Sequence, residues 1–95
     1  METFINTLLD KRGYKDAAPE VREELYKDVT LRINEFILAK VIAALSAEDL
    51  TEFEKMLDDK KPIVEYQKFA EQHIPDYQTF LTAALLEFQD IYLGA

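Results

Sequence analysis

Ser46 and His73 are the chain's only serine and only histidine, and it has no cysteine. Nucleophilic hydrolysis needs a nucleophile, a base beside it and a group that orients the base. Ser46 stands directly after an apolar run and three residues before Asp49, the position of a helix N-cap, so it is read as a cap and not as a nucleophile. His73 lies at the end of a helical segment, where partial positive charge suits the helix C-terminus. No His-Glu-x-x-His or Glu-x-x-His spacing surrounds it, so no metal site is expected. Asp58-Asp59 could begin a calcium loop, but the central glycine is missing and Pro62 interrupts. Glu23-Glu24 could do acid–base work only in a cleft; at a helix start they complement the dipole. Gly13 and Gly94 stand alone, so there is no phosphate-cradling loop. The aromatics fall at helical spacing and read as core, with a pocket between helices as the alternative.

Charge excludes further classes. The net charge is −8, and residues 46–95 hold eleven acids against four bases, which is −7 of that total. Such a surface repels phosphate and anionic lipid. The basic clusters Lys11-Arg12-Lys15 and Lys60-Lys61 are too small to reverse this, so neither nucleic acid nor a membrane is an expected partner. No apolar run is long enough to span a bilayer, and the N-terminus METFINTLLDKRG lacks the pattern of a signal peptide. The chain is expected to be cytoplasmic and to need no cofactor.

The elements that position these residues are helical throughout. Ninety-five residues suit a single small domain, residues 1–95, and the apolar period stays near 3.6. The spacing predicts an all-α, compact bundle of about five helices. The first covers about Glu2 to Arg12, with Phe4, Ile5, Leu8 and Leu9 inward and Gly13 in a left-handed terminus. The second is one long central helix over about residues 19–45, opened by Pro19. Its stripe runs Val21, Leu25, Val29, Ile33, Phe36 or Ile37, Val41, Leu45, and a second stripe of Leu31, Leu38 and Ile42 joins it later. Ser46 caps a third helix with Leu50, Phe53, Met56 and Leu57 inward. Pro62 opens a fourth, ending near His73, with Ile63, Tyr66 and Phe69 inward. After the turn Ile74-Pro75-Asp76, a fifth runs from about Asp76 to Leu93. Its seam is Tyr77, Leu81, Ala84, Phe88 and Ile91, spaced 4, 3, 4, 3 and widened by Phe80, Leu85 and Tyr92.

Two stretches carry a resemblance. Leu45-Ser46-Ala47-Glu48-Asp49-Leu50-Thr51-Glu52-Phe53, with the acidic exit at Asp58 and Asp59, is one; His73-Ile74-Pro75-Asp76-Tyr77 before the apolar last helix is the other. Over roughly residues 20–92 the chain resembles a family of small uncharacterised bacterial proteins, a domain of unknown function found largely in candidate-phyla bacteria. The shared motifs are helix caps and turns. The resemblance implies an all-helical fold and a bacterial cytoplasmic setting, and it supplies no activity and no site residues.

The feature that bears on function is the run Phe36 to Leu45, FILAKVIAAL, interrupted only by Lys40. A helix apolar on nearly every face must be covered on several sides. Its helix is about 40 Å long at 1.5 Å per residue. A globular chain of this length has a radius of gyration of about 12 Å, a sphere roughly 32 Å across, which such a helix outreaches. Phe53, Phe69, Leu81 and Phe88 can cover part of the run. The expectation is a non-enzymatic, acidic interaction module that self-associates as a homodimer through Phe36, Ile37, Leu38, Val41, Ile42 and Leu45. The alternatives are an acidic decoy or inhibitor of a nucleic-acid-binding protein, and an enzyme with an unrecognised carboxylate site.

Overall fold

Gly13 and Pro19 decide how the chain enters its long helix. In the computed structural model, which describes residues 1–94, helix α1 spans Glu2–Leu9 and runs on into a π-helical turn, Asp10–Tyr14. The sequence places the end of regular α-helix at Arg12; the structure widens it from Asp10. Gly13 then takes φ +99°, which a residue without Cβ adopts at no steric cost. Pro19 opens α2, Pro19–Ala44, as its first helical residue. Ser46 caps α3, Ala47–Asp58, its Oγ accepting from the Asp49 backbone N–H at 3.2 Å. Pro62 precedes α4, Ile63–His73, and α5 covers Tyr77–Leu93, ended by Gly94 in the left-handed region. No strand occurs among the described residues. The all-α, five-helix bundle expected from the spacing is the fold observed.

Two small cores lie along α2. The first joins Ile5, Leu8 and Leu9 of α1 to Val29 and Ile33 of α2 and Phe88 of α5. The second joins Val41 to Phe53 of α3 and to Phe69, Ala70 and Ile74 around α4. Ile37 packs against both. At 100° per residue, Val41 stands about 120° around the helix from Val29, so α2 presents one face to α1 and α5 and another to α3 and α4. This explains why its sequence shows two stripes and not one.

Polar contacts fasten the first core's end. The half-buried Arg22 pairs with Asp10 at 2.9 Å and donates to the Tyr14 carbonyl at 3.0 Å and to Asn6 at 3.3 Å, tying α1 and the π-turn to α2. Arg12 donates to the Tyr92 carbonyl at 2.8 Å and lies over the Tyr92 ring, holding the end of α5.

The molecule measures 47 × 26 × 18 Å, with a radius of gyration of 15.1 Å, larger than the 12 Å expected of a sphere-like chain. α2 therefore does not outreach its domain. The other helices line up along it, and the body is elongated to match. Four stripe or inward assignments are corrected. Val21, Leu31, Ile63 and Ile91 are more than half exposed. Leu31 stands about 160° around α2 from the buried Ile33. Val21 precedes the stretch of α2 that α1 and α5 cover. Ile63 sits at the start of α4, ahead of the turns that dock on Phe53. Ile91 is the third residue of a heptad row on a straight helix. Such a row slips about 20° per heptad, so Leu85, Phe88 and Tyr92 face the core where Ile91 has turned away.

Candidate functional site, an apolar groove beside the long helix

The run Phe36 to Leu45 is less demanding than its composition suggests. Its outer face carries Ala39, Ala43 and Ala44, all exposed, and alanine presents little apolar area. Lys40 covers another part: its ammonium pairs with Glu87 at 2.7 Å and lies over the Phe36 ring. Phe36 itself meets Phe88 edge to face at 5.7 Å, inside the first core's margin. Ile42 and Leu45 pack against the second core. These three expected interface residues are partly buried against the two cores, as are Ile37 and Leu38, and Val41 is itself buried in the second core.

The other three expected residues, Ile37, Leu38 and Val41, line a groove of about 460 Å³. α2 supplies one wall. α4 supplies another through Ile63, Tyr66, Gln67, Ala70 and Glu71, and Phe53 and Leu57 of α3 and Tyr77 and Leu81 of α5 complete the lining. The groove exists because α4 docks on α3 rather than on α2 or α5. Phe53 holds α4 with Tyr66 and Phe69 at ring separations of 5.6 and 5.7 Å, and the Tyr66 hydroxyl donates to the Met56 carbonyl at 3.1 Å. Ala70, the smallest of the α4 residues in the lining, presents little side chain to fill the space between the helices. Met1 reaches the rim and stays largely exposed.

The groove's charged side chains are Glu35 on α2 and Glu71 on α4, both exposed; no lysine or arginine lines it, and the cationic group at its rim is the Met1 terminal ammonium. Among the described residues neither glutamate has an ion-pair partner, as is true of most acids of the chain. Burial pushes the Tyr77 hydroxyl above its ordinary range, and the Glu71 charge raises it further, so the negative field of Glu71 reaches into the groove. Sequence reading missed Glu35 and Glu71 as a pair. They lie 36 positions apart, and nothing local links them.

Residues singled out for chemistry go elsewhere. The Asp49 carboxylate, read as half of a capping box, lies 3.3 Å from His73 Nδ1, and the His73 ring stacks on Phe69 at 4.1 Å. Ser46 is occupied as a cap. A hollow of about 410 Å³ lies over the α4–α5 turn, but it is lined by the consecutive residues 71–79 and has no opposing wall to hold a ligand. No group of three or more His, Asp or Glu residues is placed to hold a metal ion among the described residues. Nor is any described helix long and apolar enough to cross a membrane. Glu35 and Glu71 do share a cleft, as a two-carboxylate enzyme would require. Both are solvent-exposed, however, and lack the burial and oriented hydrogen bonds that acid–base work needs.

No known protein family, no curated protein and no solved structure matches the chain.

Proposed function

We propose that this protein is a non-enzymatic interaction module whose docking surface is the groove between α2 and α4. The observation that carries this reading is an open apolar trough, lined by Leu38 of α2 and Ala70 of α4, with no polar constellation suited to chemistry. Helix-in-groove recognition uses such a surface: an amphipathic segment lays an apolar ridge into a trough between helices. Leu31, seven residues before Leu38 on the same face of α2 and 63% exposed, offers a second apolar contact two turns away, beyond Asn34 and Glu35. Contacts so spaced suit a rod-like segment better than a small molecule.

The occupant is a helical segment of another protein. A second copy of this chain is the alternative. It has the hub residues Ile37, Leu38 and Val41 in its favour, but it brings together two chains of net charge −8, and like charges facing each other oppose association.

The chain's lack of cysteine allows a direct test. A photo-crosslinker on Gln67→Cys, in the groove wall, is compared with one on Leu86→Cys, on the exposed side of α5. The expected result in native extract is a discrete adduct from the groove position alone. An adduct of twice the chain's own mass assigns the groove to a second copy. Identical products from both positions, or none from either, remove the groove as a docking surface.

A further inference from the structure

We propose that the groove's partner is a cationic amphipathic helix, whose apolar ridge fills the space over Leu38 and Ala70 and whose flanking lysines or arginines pair with Glu35 and Glu71. This rests on the docking reading above and specifies the chemistry of the occupant. The two glutamates line the groove from different helices, α2 and α4, among its apolar residues. Each is without an ion-pair partner among the described residues, and the groove lining holds no lysine or arginine, its one cationic group being the Met1 terminal ammonium at the rim. The Tyr77 hydroxyl, a hydrogen-bond donor, lines the same site. The net charge of −8 adds long-range attraction for a basic segment and speeds its encounter. An acidic or neutral helix would fill the same apolar space but leave both glutamates without a counter-charge.

The test uses the full chain with an environment-sensitive fluorophore on Gln67→Cys. Two synthetic helical peptides share the same leucine ridge; one carries arginines at the flanking positions and its twin carries glutamates there. The expected result is that the arginine peptide binds at low salt and the glutamate twin does not. Glu35→Gln/Glu71→Gln is expected to weaken the arginine peptide by about threefold to thirtyfold, the range for two exposed ion pairs. Because both positions are exposed, that variant is expected to keep the wild-type thermal midpoint. Leu38→Gln is expected to weaken the arginine peptide as well, through the lost apolar contact. Equal binding of the two peptides, or unchanged affinity in the glutamine variant, overturns the cationic partner. If the groove-specific crosslinked adduct persists in that case, the docking reading stands without it. A dimer in light scattering that Leu38→Gln dissociates also overturns it, and gives the groove to a second copy. Absence of both adduct and peptide binding removes both readings.

Discussion

At the scale of single residues, capping and turn chemistry explain most of what the polar side chains do. Ser46 answers an orphan N–H at the start of α3, while the Asp49 side chain is drawn away to His73 on α4. The exit of α3 is a Schellman turn. Lys60 N–H donates to the Leu57 carbonyl at 3.1 Å, and Lys61 N–H to the Met56 carbonyl at 3.3 Å, with Lys60 at φ +53°. A side chain with Cβ is strained there, and glycine is not. Lys60→Gly is expected to stabilise the protein by about 1 kcal/mol, reduced somewhat by glycine's greater freedom in the unfolded chain. Urea denaturation checks this through a raised midpoint. An unchanged or lowered one would mean that the turn is held some other way.

At the scale of elements, α5 shows how a heptad row read from sequence differs from a packed face. Phe88 is buried, meets Phe36 edge to face and stacks on Tyr92 at 5.9 Å. Ile91, on the row with Tyr77 and Ala84, has rotated out of contact. Phe88→Ala is expected to cost about 3–5 kcal/mol, and Ile91→Ala to stay within about 0.5 kcal/mol of wild type. Chemical denaturation of the two variants separates a packed residue from an exposed one on the same helix. Comparable losses would place Ile91 in the core after all. α2 follows the same physics over a longer span: its two faces are buried by different neighbours, so its apolar residues spread around the helix without making it uniformly buried.

At the scale of the whole molecule, two cores on one rod predict uneven stability. α1, α2 and α5 enclose the first core, whereas the α3–α4 pair is fastened chiefly through the second, beside an open groove. Local opening follows the density of buried contacts. Backbone amides of α3 and α4 are expected to exchange faster than those of α1 and the first half of α2. Phe53→Ala, which deletes the centre of the second core, is expected to widen that gap and leave the first core's amides nearly unchanged. Uniform acceleration in native-state hydrogen exchange would show a single cooperative unit. A docking helix seated in the groove would bridge α2 and α4, and so tighten the end of the molecule that is least enclosed.

Element bounds were legible from sequence because they are set by neighbours along the chain. Pro19, Ser46, Pro62 and Gly94 lie within a residue of the helix ends they mark, and Gly13 takes the left-handed backbone expected of it. The apolar run Phe36 to Leu45 was legible too, as was the need to cover it with Phe53, Phe69 and Phe88. Its division was not: all six residues expected at an interface take part in internal packing, and Ile37, Leu38 and Val41 also line the groove. The exposure of Ile63 and Leu31, the Asp49–His73 contact and the groove-lining pair Glu35 and Glu71 were equally hidden. Caps and turns act over three or four residues, so the amino-acid order by itself determines them. Burial and the siting of a groove depend on which distant helix arrives at which face, and that is decided only when α3 and α4 dock at one end of α2 and α1 and α5 at the other.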